Sequence, residues 1–342
     1  MKYKLNLSKN TKFTLAIFGG FLFALVSIPM IISATVAPAT IDGELAHEPD
    51  VAADDFYENG STGFIWNDET ESFYITVHRS VTDEFETIEF ERYIVGVVAA
   101  EMPALFERGA LQAQAIAART YAIRILQHDD YILDTVMHQV YLDDDQLKER
   151  WGDDFTRHLS TIMEAVDSTR GLVLKYDGEL ITPLFFAMSS GATENSEDFF
   201  QNARPYLRSV TSAGYEHLDN FAVSEVFSIT DLQEAFNDDQ ITTGNIQILA
   251  HSAGGNITEI RIGNSIYTGR EVRETLGLRS AAFSLEINDD TERITITTYG
   301  HGHGVGMSQH GANVMARNGY SFEEILKHFY QNVTIKKMSN DF

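Results

Sequence analysis

The 342-residue sequence contains no cysteine, and its 25 basic residues are outnumbered two to one by 50 acidic ones, for a net charge of -25. Without cysteine there is no disulfide framework, thiolate nucleophile, iron-sulfur cluster or thiolate zinc site, so any metal would need histidine and carboxylate ligands. The shortage of positive charge excludes a protein that grips nucleic acid by its phosphates or lies on an anionic lipid surface. There are only six prolines and two tryptophans. With 44% hydrophobic residues, the chain is long enough for one large domain or two ordinary ones, each with its own core.

The charge is unevenly distributed. Residues 1–36 hold Lys2, Lys4, Lys9 and Lys12 and no acid, which leaves 21 basic against 50 acidic residues in the remainder, a net of -29. A basic tail (1–12) precedes an uncharged run, Phe13 to Val36, long enough to cross a hydrocarbon core of about 30 Å as a helix. Positive charge ahead of the span predicts a cytoplasmic N-terminus and an extracytoplasmic body. A cleaved signal peptide is the alternative, because small residues follow at Ala37-Pro38-Ala39, and it also places the body outside. Residues 37–70 are rich in Ala, Asp, Glu and Thr and read as a solvated linker.

The body, 71–342, reads as an α+β domain. FYITVHRSV (73–81) predicts a strand, and ETIEFERYIVGVVAAEM a strand passing into an apolar helix that Pro103 stops. A second helix is predicted from about Glu107 to His128, with Leu111, Ala115, Ala118 and Ala122 on one face. Asp177-Gly178 marks a hairpin turn. IQILAH, NITEIRIGN and ITITTYG predict further strands. Thr268 with Glu271 and Ser321 with Glu324 are capping boxes. Asn318-Gly319 ends a helix that follows the glycine-rich loop.

A few residues in this frame could carry chemistry. Glu101 follows IVGVVAA and precedes Met102-Pro103, a carboxyl placed where a buried helix must end. Desolvation there would keep it protonated near neutrality, as a general acid requires; the plainer reading is a solvated helix-terminal glutamate. Arg119, between IAA and TYA, either snorkels outward or pairs with an acid or a substrate oxygen. In Gly300-His301-Gly302-His303-Gly304-Val305-Gly306 the alternating glycines allow close backbone approach, and two histidines two residues apart point the same way. That loop reads as the lining of a polar groove or, with His310, as a metal site and hence a metallohydrolase. Ser189-Ser190-Gly191 lacks the nucleophile-elbow pattern and reads as a polar loop. Residues 202–208, with Arg204, Tyr206 and Arg208, present an aromatic plane and cations of the kind that contact sugars, or else form a plain edge strand.

Taken in order, YIVGVVAAEMPALFERGALQAQAIAARTYA, FFAMSSGATENSEDFF, PYLRSV and GHGHGVGMSQHGANVMARNGYSFEEILKHFY resemble the stage II sporulation protein D family of peptidoglycan lytic transglycosylases, from about residue 70 to 338. The resemblance implies cleavage of peptidoglycan glycan strands between N-acetylmuramic acid and N-acetylglucosamine to 1,6-anhydro ends. It also implies an anchor in the mother-cell membrane facing the intermembrane space during forespore engulfment. The partners it implies are a sporulation amidase/endopeptidase and a multispanning membrane scaffold, with no nucleic acid and no cofactor. By the same resemblance Glu101 is the catalytic acid, Arg119, Tyr206 and Arg208 fall on positions important for activity, and Ser189, His301, His303 and Gln309 become candidate substrate contacts. Two departures stand out: Ser189-Ser190-Gly191 replaces Ser-Gly-Gly, and Thr135 to Tyr141 lacks the cysteines of a zinc site found in some relatives, so no structural zinc is expected. A non-catalytic wall-binding or amidase-enhancing module of the same fold is the alternative function.

Overall fold

The computed structural model describes residues 64–67, 72–200 and 202–338; the basic tail, the predicted span and most of the linker lie outside the described residues. The first strands, β1 (Phe64–Asn67), β2 (Ser72–Arg79) and β3 (Glu84–Glu89), pair antiparallel around β2. β3 runs directly into α1 (Phe90–Glu101), whose first turn is capped by the Glu89 carboxylate accepting the Arg92 N–H. Every residue of α1 except Arg92 is buried, as expected of a helix apolar on all sides. α2 (Arg108–Leu126) follows; its Leu111, Ala115, Ala118 and Ala122 are fully buried, but so are Ala110, Ala113 and Ala117. The alanine content therefore serves close packing all round the helix rather than along one stripe.

β4 (Ile132–Leu133) joins β2 in parallel. α3 (Asp144–Trp151) and α4 (Phe155–Asp167), absent from the sequence-based expectation, cover the α1–α2 pair; α3 starts in a capping box between Asp143 and Gln146. Asp177 and Gly178 both have positive φ (52° and 91°) and join β5 (Leu172–Tyr176) to β6 (Glu179–Leu180) in the expected tight hairpin. The chain then places β7 (Phe185–Phe186), β8 (Gly191–Ala192), the short α5 (Ser196–Phe199) and β9 (Thr211–Ser212), with β8 and β9 paired.

A separate core follows. β10 (Ala222–Ser228), α6 (Ile229–Phe236), β11 (Ile246–His251), β12 (Ile257–Ile262), β13 (Ser265–Tyr267), α7 (Gly269–Leu276), β14 (Phe283–Asn288) and β15 (Arg293–Tyr299) form two antiparallel three-stranded sheets with their helices. Leu232, Ile260, Val272, Phe283 and Ile296 meet between them. The Thr268–Glu271 box opens α7 as predicted. The chain then re-enters the first core. β16 (Met307–Ser308) pairs in parallel with β7, α8 (Gln309–Arg317) and α9 (Phe322–Phe329) pack on α2, and β17 (Thr334–Lys337) pairs with β5. The class is α+β as expected, with the second core inserted into the first. Among the described residues no helix is long and apolar enough to cross a membrane.

Candidate functional site around Glu101

Glu101 is the last residue of α1, 6% exposed, on a helix whose walls are hydrocarbon. Burial pushes its carboxyl up from the usual range to about 7, against the opposing pull of the Gln309 amide, the Val140 backbone N–H and the Arg150 charge. Gln309 Nε2 donates to Glu101 Oε2 at 3.3 Å across 208 residues of sequence. Arg150 of α3 donates to the carbonyls of Ala99 and Ala100 (3.5 and 3.3 Å), filling acceptors that the end of α1 leaves open and placing a cation at the negative end of the helix. Gly96 is what lets residues 141–142 cross α1: a Cβ there would lie 2.3 Å from the Tyr141 ring, and the same segment carries the Val140 donor. The side-chain hydrogen-bond partner of Glu101 is thus an amide, and burial brings its carboxyl near half-ionisation at neutral pH.

The glycine-histidine loop is a packed spine. Gly300, Gly302, Gly304 and Gly306 all have positive φ, between 73° and 109°, and a Cβ on Gly306 would sit 2.1 Å from the Leu184 carbonyl oxygen. The loop threads along residues 184–194 through bridges from Met188 to His301 and from Glu194 to Val305. His303 is fully buried among Phe186, Phe199 and Phe200; its Nδ1 accepts from the Val305 N–H (3.1 Å) and its Nε2 faces the Phe185 carbonyl at 3.1 Å. Burial, with Arg273 and Arg270 nearby, pulls its pKa down to about 3, so it is neutral with both ring nitrogens engaged. His303 thus packs the loop from within, with both ring nitrogens bonded to backbone groups of the protein. His301, 5% exposed, lies with Nδ1 3.2 Å from Arg279 Nη2. His310 turns toward Phe106 and Tyr215 instead, and among the described residues no group of three or more metal-ligating side chains gathers, so the three histidines do not form the set a metallohydrolase needs.

Three other candidates are bonded to partners other than Glu101. Arg119 is 0% exposed and makes a two-pronged pair with Glu91 (Nε–Oε1 3.0 Å, Nη2–Oε2 2.7 Å) plus a bond to the Leu172 carbonyl. It ties α2 to α1 and β5, and the acid foreseen as the partner of an inward-facing Arg119 is Glu91. Tyr206 is buried, its hydroxyl accepting from the Thr182 N–H. Arg208 pairs at the surface with Glu197, which it holds down to about pKa 2, and residues 202–210 form a turn rather than an edge strand.

Ser189 belongs to a buried hydroxyl cluster with Ser212, Tyr215 and Ser308. Ser308 caps α8, accepting from the Gly311 N–H, so the cluster sits directly behind Gln309. Three residues important to this geometry, Glu91, Arg150 and Tyr215, had no local signature, and a fourth, Glu194, had a slight one. Glu194, 1% exposed, clamps the glycine loop by donating its N–H to the Gly304 carbonyl (2.8 Å) while its Oε1 accepts from the Asn256 N–H. Its place in the T-E-N run after the serine loop was the available clue.

A carboxyl buried at the end of an apolar helix and met by the helix that follows a glycine-histidine spine defines the class of protein: the chain belongs to the stage II sporulation protein D family. Residues 78–176 match the model described as "Stage II sporulation protein". Over 274 residues, 77% of this chain, it is 41% identical to the "Stage II sporulation protein D" of Bacillus amyloliquefaciens (78% of that protein covered) and 38% identical to that of Bacillus subtilis (strain 168), with 79% covered. It is also 27% identical over 293 residues to an "Amidase enhancer" of Bacillus subtilis (strain 168), covering 70% of this chain and 40% of that protein.

Proposed function

We propose that the chain is a lytic transglycosylase of peptidoglycan glycan strands, with Glu101 as the only acid-base group. The observation that carries this reading is the Glu101 carboxyl itself: buried at the end of an apolar helix and hydrogen-bonded by the Gln309 amide rather than by a second acid, with burial raising its pKa to about 7. Hydrolytic glycosidases place two carboxyl groups about 5–10 Å apart, one for the leaving group and one for water or the anomeric carbon. A transglycosylase that closes a 1,6-anhydro ring needs one. Protonated Glu101 gives its proton to the glycosidic oxygen as the bond from the muramic C1 breaks, leaving oxocarbenium-like charge on the ring. The muramic C6 hydroxyl then attacks C1 and its proton returns to the Glu101 carboxylate. No water is consumed, and the residue ends as it began.

The Gln309 amide, an uncharged donor, holds the carboxylate in place during the interval in which it is ionised. A pKa near the working pH suits a group that must first give and then take a proton. Family membership supports a role in sporulation, and the resemblance supports action at the engulfing mother-cell membrane beside an amidase/endopeptidase and a membrane scaffold. The lysine-preceded apolar run Phe13–Val36 supports an anchored chain with its body outside the cytoplasm.

The test is digestion of peptide-free glycan strands by the full chain, with products identified by mass spectrometry. The wild type should yield 1,6-anhydro-muramic ends, with a rate that declines above about pH 7 as Glu101 loses its proton, while Glu101→Gln should yield none. If wild-type protein leaves strands intact yet accelerates an added amidase, the non-catalytic reading suggested by the amidase-enhancer relative replaces this one.

A further inference from the structure

We propose that Tyr215 is a positioning residue for Glu101: its side chain grips α8 on either side of Gln309 and so presents the Gln309 amide to the carboxyl. The proposal rests on Glu101 being the acid of the reaction above.

Tyr215 is 2% exposed, and its hydroxyl is the meeting point of three chain segments. Tyr215 Oη accepts from the Ser189 N–H (3.1 Å), lies 2.6 Å from Ser189 Oγ and 3.0 Å from Ser212 Oγ, donates to the Ser212 carbonyl (2.9 Å) and stands 3.2 Å from Ser308 Oγ. A phenol has one proton and two lone pairs, so one or two bonds would satisfy it in a buried place. Five polar contacts over-determine its position, which is how a local geometry is fixed rather than merely tolerated.

The grip falls on the residues flanking Gln309. Ser308, its predecessor, meets the Tyr215 hydroxyl, and His310, its successor, packs against the Tyr215 ring with centroids 5.8 Å apart. The His310 N–H is also fixed to the Ala187 carbonyl at 3.0 Å. Gly311 lets the helix press this close, because a Cβ there would lie 2.3 Å from Ser212 Oγ. Gln309, held between, directs its amide to Glu101. The charged and titratable groups that face Glu101 from the packed elements are Arg150 on α3 and Tyr93 on α1; His310 beside Gln309 is kept neutral at ordinary pH by burial. None of these touches the Tyr215 hydroxyl, so a change in Glu101 on removing that hydroxyl is routed through α8.

The experiment titrates the Glu101 carboxyl by carbon-13 NMR in the full chain carrying side-chain-labelled glutamate, with the Glu101 signal assigned by its loss in E101Q. In Y215F the amide is less firmly held, the ionised form less stabilised, and the titration should move up by roughly half a unit. Q309L should move it in the same direction, and the double variant no further than Q309L alone, because Tyr215 acts through Gln309. Y330F removes an equally buried hydroxyl, the donor to the Leu184 carbonyl, and should lower Tm while leaving the titration unchanged. A wild-type titration in Y215F, or a shift fully additive with that of Q309L, overturns the proposal. Should Y215F not fold, S189A loosens the Tyr215 hydroxyl without removing the cap of α8, and its titration decides. Because the readout needs no turnover, absence of anhydro products from the wild type would sink the catalytic reading while still leaving the positioning claim decided.

Discussion

At the scale of single residues, the burial that raises the Glu101 pKa also makes the residue a liability for folding. Its carboxyl goes from an ordinary value of 4.5 in the open chain to about 7 in the folded one. Below about pH 4.5 it is protonated in both states and contributes no pH dependence. Between 4.5 and 7 the unfolded chain releases a proton that the folded chain keeps, so stability falls as pH rises through that window and levels off above it. The loss is on the order of 3 kcal/mol at about 1.4 kcal/mol per unit. Glu101→Gln, which cannot ionise, should therefore be as stable as wild type near pH 4.5 and more stable at pH 8, in denaturant titrations run at both values. A gap that does not widen between them would mean that the carboxyl is not desolvated. His303 shows the opposite sign of the same effect: burial holds it neutral, so it contributes no charge until the pH approaches about 3.

At the scale of elements, the first core is held by a buried tie between two consecutive helices. Arg119 on α2 and Glu91 on α1 form a buried two-pronged pair across 28 residues. Removing one member strands the other as an uncompensated buried charge, a loss of about 3–5 kcal/mol, whereas removing both together leaves no such orphan. Arg119→Leu should thus lower the unfolding midpoint sharply, and Arg119→Leu combined with Glu91→Gln should recover much of it. If Arg119 instead served by touching substrate, the single variant would keep its midpoint and lose only activity, and the second substitution would restore nothing. This distinction matters because an inactive Arg119 variant alone would look catalytic. The helix boundaries, the capping boxes and the Asp177-Gly178 turn could be read locally because each is a short-range pattern with its own hydrogen-bond logic. α3 escaped because its sequence is largely polar and its start is fixed by the Asp143–Gln146 capping box, whereas α4 does carry a helical pattern, with Ile162, Ala165 and Val166 buried against α1 and α2, that the reading of the sequence passed over.

At the scale of the whole molecule, 50 acidic against 21 basic residues after residue 36 leave a body whose surface charges repel one another. Screening acts over about 10 Å at 0.1 M salt, so the thermal midpoint should rise as sodium chloride is raised from low concentration to about 0.5 M. A midpoint that falls instead would mean that local pairs, such as those of Arg79 with Glu86, Asp134 and Asp143, outweigh the general repulsion. The insertion of the second core between Tyr215 and the glycine spine is also a whole-molecule property. It separates Gln309 from Glu101 by 208 residues while the returning chain brings them into hydrogen-bond reach.

The amino-acid sequence by itself settled the α+β class, the acidic body, the absence of thiol chemistry, the prominence of Glu101 and the family, because periodicity, caps, charge and contiguous motifs are local and survive without coordinates. Only the tertiary structure decided which of the marked residues meet. Arg119, Tyr206 and His303 carry the chemistry of contact residues, yet each is buried and hydrogen-bonded to another part of the protein. Gln309 reaches Glu101 because α8 starts where Ser308 and Tyr215 hold it. The physical reason is that a hydrogen-bonding group declares what it can bind through its type, but whether that capacity is spent on the protein or left for a substrate depends on neighbours contributed by distant parts of the chain.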